Sequence, residues 1–137
     1  EFQSNILYIA HTNAIKATLT AEENMTIIHS LTGSKSKINY STILKKIGMS
    51  GMNKILAYNL SAGQKRRLGL TRLFMTKSKL WFLDEPFNAL DKDGKKIIEN
   101  LIINHCAKGG ITIFTTHQKM EIDDYPLQSI RLRSNNV

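Results

Sequence analysis

The segment Lys79-Leu80-Trp81-Phe82-Leu83-Asp84-Glu85-Pro86 constrains the fold of this chain more than any other. An uninterrupted apolar run of this length suits a central strand buried on both faces of a sheet. The carboxylates of Asp84 and Glu85 then stand at the strand's C-terminal end, the edge at which open α/β sheets bind their ligands. Adjacent carboxylates repel, so the pair is sustained most readily by a cation or by a reaction that uses one of them as a base. Asp84 suits a Mg²⁺ ion, held directly or through water, and Glu85 suits orienting and deprotonating a water that attacks a γ-phosphate. The tetrapeptide alone is equally compatible with a strand that ends in solvent.

The rest of the chain supplies a frame for such a strand. Asn5–Ala10 is a short apolar stretch running into the polar group His11-Thr12-Asn13, which reads as a strand and a loop. Thr20-Ala21-Glu22-Glu23 is a capping box opening a helix with Met25, Ile28 and Leu31 on one face. Tyr40–Ile47 is a second helical stretch, carrying Ile43, Leu44 and Ile47, and Thr32–Asn39 between the two is a solvated loop. The pattern continues as a helix over Ala62–Thr76, a strand over Lys79–Leu83, a helix over Lys92–Lys108, a strand over Ile111–Thr116 and a final strand near Ser129–Leu132. That alternation predicts an α/β fold, a parallel sheet covered by helices. No internal repeat or low-complexity tract interrupts it.

A chain of 137 residues has the length of one globular unit. Its longest apolar runs, such as Leu80–Leu83 and Leu101–Ile103, fall far short of the roughly 18 to 20 residues needed to cross a bilayer. The first residue is Glu1 and no basic-then-apolar leader follows, so we expect a fragment and no secretory signal. Cys106 is the one cysteine, which excludes an internal disulfide framework and a Cys-rich zinc site. Nineteen Lys and Arg against eleven Asp and Glu give +8, a balance that favours anionic partners without choosing among nucleotides, nucleic acid and acidic headgroups. Lys35, Lys37, Lys45, Lys46, Lys95 and Lys96 are scattered, with no interleaved aromatics, so no nucleic-acid partner is expected.

Leu60-Ser61-Ala62-Gly63-Gln64 opens the helix that carries Leu68, Leu70, Leu73 and Phe74. One reading is a capping box between Ser61 and Gln64. A second, compatible reading is an anion cradle, because Lys65, Arg66 and Arg67 crowd the first turn, where the helix dipole disfavours cations unless an anion rests on the terminus. Gly63 permits close backbone approach. Gly109-Gly110 leads into the strand that ends at Thr115-Thr116-His117. With parallel strands, His117 shares a sheet edge with Glu85, where an imidazole can hydrogen-bond a γ-phosphate or the attacking water. Asp91 brings a further carboxylate, or simply caps the helix beginning at Lys92. A Ser61-His117-Asp hydrolase triad is disfavoured: Asn59 stands where the nucleophile elbow needs its first Gly, and no strand precedes Ser61. The phosphate-binding pattern G-x-x-x-x-G-K-[ST] is absent, since Gly94-Lys95 is followed by Lys96 and preceded at 89 by Ala89.

Taken in order, Leu-Ser-Ala-Gly-Gln at 60–64, apolar-Asp-Glu-Pro at 83–86, Ala-Leu-Asp at 89–91 and Thr-Thr-His at 115–117 resemble the ordered motifs of ABC-type ATPases. The resemblance implies the C-terminal two-thirds of a P-loop NTPase fold: a helical subdomain at about 17–76, the remainder as catalytic core, and no Walker A region. It implies ATP and Mg²⁺ as cofactors, and ATP hydrolysis coupled to transport in the complete protein, with a nucleic-acid-associated ABC ATPase or an inactive truncated assembly remnant as the alternative readings. Ser61, Ala62, Gly63 and Gln64 then correspond to the signature that contacts ATP held by an opposing subunit, and Asp91 to the D-loop residue. Asp84 corresponds to the Walker B carboxylate that holds Mg²⁺, Glu85 to the catalytic base and His117 to the switch histidine. Ala62, the run Gln64-Lys65-Arg66-Arg67, Pro86-Phe87-Asn88-Ala89, Gly109-Gly110 and Tyr8-Ile9-Ala10-His11 are most similar to the haem-exporter ATPases of the cytochrome c maturation system. In those, His commonly replaces the Q-loop glutamine, which puts His11 at a position able to ligate a metal or bond a water. The implied partners are a second ATPase subunit and integral membrane subunits, with a peripheral location on the cytoplasmic face of the inner membrane or an organellar equivalent.

Overall fold

The computed structural model describes residues 5–34, 36–117 and 126–130. Three parallel strands, β1 (Ile6–Ile9), β2 (Leu80–Leu83) and β3 (Ile111–Phe114), form one sheet in the order β1-β2-β3. Ile6, Leu80 and Ile111 lie level across it, as do Ile9, Leu83 and Phe114 at the other end. All three strands therefore finish at one rim, and the ladder runs on past them: the Asp84 amide donates to the Ile9 carbonyl at 2.9 Å and the Thr115 amide to the Leu83 carbonyl at 3.0 Å.

β2 is the central strand of the three, as its composition predicts, but its two faces differ. Trp81 and Leu83 are buried, together with Leu7, Ile9 and Phe87, against Ile98 and Ile102 of the long helix α5 (Lys92–Ala107). Leu80 and Phe82 point the other way and are only half-covered, beside Tyr8, Ile111 and Ile113, which are 58%, 61% and 51% exposed. Burial on both faces, the expectation for this strand, is not seen among the described residues: the apolar cluster that includes α5 covers one face and the other is half-covered.

A second apolar cluster lies among helices α1 (Ala21–Leu31) and α2 (Tyr40–Lys46), and the 3₁₀ turn Ala57–Asn59. Met25, Leu44, Ile47, Met49 and Leu68 are fully buried there, each stabilising the fold by about 1.5 to 3 kcal/mol relative to an exposed side chain. The α1 capping box is present as predicted: Thr20 Oγ1 accepts from the Glu23 amide and Glu23 Oε2 accepts from the Thr20 amide. Leu31 departs from the expected face. It is 72% exposed, because each step of three residues turns back about 60° around a helix of 3.6 residues per turn and carries position 31 away from the stripe of Met25 and Ile28.

The predicted helix over Ala62–Thr76 is two helices, α3 (Ala62–Gly69) and α4 (Arg72–Met75). At the break the Thr71 amide and hydroxyl both donate to the Leu68 carbonyl, at 3.2 and 2.6 Å. The bend lets Leu68 and Met75 join the helical cluster while Leu70 and Leu73 join the sheet cluster. Ser129 and Ile130 are not in a strand, and the remainder of the predicted final strand, residues 131–132, lies outside the described residues.

Candidate functional site

The parallel ladder delivers the acidic pair and the histidine to the same rim. His117 Nε2 lies 2.7 Å from Glu85 Oε1, the imidazole 93% exposed and the carboxylate 19%. Two residues earlier, Thr115 clamps both acidic residues: its hydroxyl donates to Asp84 Oδ1 at 2.7 Å and accepts from the Glu85 amide at 3.0 Å. Glu85 has φ 49°, a left-handed conformation unusual for a non-glycine residue, which persists only where surrounding bonds fix it. Gln118, next to His117, lies outside the described residues.

The start of α3 carries the predicted Ser61–Gln64 box, with Ser61 Oγ accepting from the Gln64 amide at 3.2 Å and Gln64 Oε1 accepting from the Ser61 amide at 2.8 Å. Ser61 and Ala62 are exposed, and Gly63 and Gln64 are partly so. The argument from crowded cations is corrected. Because α3 stops at Gly69, Arg66 and Arg67 fall in its last turn, where the dipole favours positive charge. Their charges also meet acceptors inside the chain: Arg67 Nη1 bonds the Ile47 carbonyl and Arg67 Nη2 bonds Asp91, while Lys65 Nζ bonds the Tyr58 carbonyl.

Asp91 caps α5 by accepting from the Gly94 amide at 2.8 Å. That bond, and then the one from Arg67, hold its carboxyl below the usual carboxylate range. Asp91 therefore both caps its helix and ties α5 to α3. Gly63 faces the same loop: a Cβ there would stand 2.9 Å from the Ala89 carbonyl oxygen. The close approach that this glycine permits is to its own chain.

His11 follows β1 and its side chain is exposed. No group of three or more metal-ligating side chains occurs among the described residues. The His11 carbonyl, in contrast, is engaged by Arg66, which the sequence presents only as one of three clustered cations. Arg66 is 3% exposed. Its Nη1 donates to the carbonyls of Ala10 and His11 and to Asn13 Oδ1, and its Nη2 to the carbonyls of Asp84 and Glu85, all within 2.8 to 3.2 Å. Burial pushes the Arg66 pKa down while the Asp84 and Glu85 charges oppose that shift. Sequence reasoning missed Arg66 and Thr115 as members of the rim: a basic triplet and a strand-end threonine are common, and their acceptors lie 18 or more positions away.

The donor set at the rim fits the cofactor implied for it. A carboxylate oriented by a hydroxyl, at a strand terminus beside a second carboxylate, is hard oxygen chemistry of the kind Mg²⁺ takes.

The strand ends of this parallel α/β core carry an acidic pair and a histidine, with a capped glycine-bearing helix beside them, and residues 1–88 match the family model described as "ABC transporter". The chain belongs to that family. Its curated relatives include the cytochrome c biogenesis ATP-binding export proteins CcmA of Aliivibrio fischeri, 41% identical over 96% of this chain and 65% of the relative, and of Shewanella oneidensis, 44% identical over 96% of this chain and 61% of the relative. The chain thus spans somewhat under two-thirds of the length of these relatives. A solved structure of an ATP-binding subunit of an ABC transporter superposes with TM-score 0.74 over 85% of this chain and 50% of the other, at 22% identity, a likeness of fold.

Proposed function

We propose that this chain is the signature- and base-bearing part of the ATP-binding subunit of an ABC transporter complex that exports or handles haem in c-type cytochrome biogenesis. The observation that carries the proposal is the 2.7 Å approach of His117 to Glu85 on the rim where Asp84 ends the same strand. In this reading Glu85 takes a proton from the attacking water, and His117 orients that carboxylate and bonds the γ-phosphate. Asp84 would hold Mg²⁺, which supplies neutralisation of phosphate charge when bound. Ser61, Ala62, Gly63 and Gln64 present the exposed mouth of α3 to ATP held by a second subunit, and Asp91 stands beside it. His11, after β1, bonds a water or metal at the approach to the rim. Residues 17–76 act as the helical subdomain, supported by their own apolar cluster. The complete subunit works as a dimer docked peripherally on integral membrane subunits at the cytoplasmic face of the inner membrane. No helix among the described residues is long and apolar enough to cross a membrane.

The test is Glu85→Gln in the complete subunit. Turnover should fall to background while ATP binding is retained, and a variant that hydrolyses ATP at the parental rate would end the reading.

A further inference from the structure

Arg66 has a reach that the proposed chemistry does not yet use. It belongs to α3, yet its guanidinium spans the ends of two adjacent strands: Nη1 takes the carbonyls of Ala10 and His11 after β1, and Nη2 takes those of Asp84 and Glu85 after β2, both at 2.8 Å. Only a planar fork of fixed donors can hold two such groups of acceptors at once; an ammonium acts as a single point. Glu85 needs such a grip. Its backbone is left-handed at φ 49°, a conformation that a non-glycine residue keeps only where surrounding bonds hold it. The Glu85 amide is held by Thr115 Oγ1 and its carbonyl by Arg66 Nη2. With both peptide groups fixed, the direction in which the Glu85 Cα–Cβ bond leaves the backbone is fixed as well, and the contact with His117 holds the far end of the side chain.

We infer that Arg66 is a positioning residue: it locks the Glu85 backbone in its left-handed conformation and binds it to the loop Ala10–Asn13, so that the carboxylate aim depends on where that loop stands. Arg66 touches no reacting atom and acts through Glu85. The inference rests on the proposed role of Glu85 as base. A displacement of about 1 Å in a reacting group costs up to about 100-fold in rate, so loss of the fork should appear in kcat and leave nucleotide affinity alone.

The experiment uses the complete subunit in its membrane complex, with Arg66→Lys, Arg66→Gln, Asn13→Ala and Glu85→Gln. Turnover is expressed per nucleotide-binding site, measured with a non-hydrolysable ATP analogue, so that unfolded material does not count. The expected result is a kcat lowered tenfold or more in Arg66→Lys and further in Arg66→Gln, with KM for ATP within twofold of the parent. Asn13→Ala removes one exposed acceptor of the fork and leaves the core intact; it should lower kcat two- to fivefold at constant KM, and it decides the matter if the Arg66 variants do not accumulate. Parental kcat per site in Arg66→Lys, or in Asn13→Ala where it alone is measurable, overturns the inference while a dead Glu85→Gln leaves the function standing. A fully active Glu85→Gln overturns the function itself.

Discussion

Thr115 and Asp84 are joined across neighbouring parallel strands by a 2.7 Å hydrogen bond whose donor, the threonine hydroxyl, also accepts the amide of Glu85. One hydroxyl thus fixes the carboxylate of the first acidic residue and the backbone of the second. Replacing it by the isosteric Thr115→Val keeps the volume and strips both bonds. The amide and carboxylate regain only part of their partners from water, so stability should fall by about 1 to 2 kcal/mol. Thr115→Ser should recover most of it. Urea unfolding of the three proteins checks this, and a Val variant as stable as the parent would show that the hydroxyl does not hold the rim.

Asp91 makes stability depend on pH in a defined window. Its carboxyl is held below the ordinary range first by the Gly94 amide and then by Arg67. A folded-state pKa below the unfolded value of about 3.9 gives a contribution fully present above that value and lost as pH falls through the folded pKa. Asp91→Asn keeps a capping oxygen and loses the charge. The difference in urea midpoint between parent and Asp91→Asn should be constant from pH 8 to about pH 5 and shrink below about pH 4. Glu23 is held low by its bonds to Thr20, but it is present in both proteins and cancels in the difference. A difference that persists unchanged to pH 2 would mean that the charge contributes nothing.

Much of this arrangement was legible because it is local or periodic. The capping boxes at Thr20 and Ser61 are written in four residues each, and the strand Leu80–Leu83 is bounded by a lysine and an acidic pair. Parallel pairing then places His117 near Glu85 without further information. What sequence did not disclose is whatever depends on where a helix ends or what lies across space. The stop at Gly69 turns Arg66 and Arg67 from first-turn cations awaiting an anion into last-turn donors with acceptors of their own. The half-covered face of β2 was hidden for a similar reason: an apolar run reports that side chains avoid water, not which layer in the fold meets them.

That face carries a prediction about association. Tyr8, Ile111 and Ile113 project from one side of the sheet, more than half exposed, and contiguous apolar surface of this kind drives self-association. In the 137-residue chain, Ile111→Thr with Ile113→Thr keeps β-branched residues suited to a strand and removes apolar area. Sedimentation at matched concentration should show less association than the parent, with the urea midpoint nearly unchanged. Undiminished association would place the sticky surface elsewhere.

Gly63 tests the packing between α3 and the loop before α5. Alanine is intrinsically better than glycine in a helix by about 1 kcal/mol, so on propensity alone Gly63→Ala should stabilise. Against this stands the Ala89 carbonyl oxygen, 2.9 Å from where the new Cβ would lie, closer than real contacts allow. Ala89 is not free to retreat cheaply, since it already sits at φ 60° with its amide bonded to the Asn88 side chain. Overpacking of this kind costs about 1 to 3 kcal/mol, which exceeds the propensity gain, so a net loss of roughly 1 kcal/mol is expected. Adding Ala89→Gly relaxes the left-handed residue and lets the loop give way, so the double variant should be more stable than the sum of the two single effects. Urea midpoints for the four proteins form a closed cycle. A Gly63→Ala protein more stable than its parent would show that the loop yields and that glycine at 63 is not required by this contact.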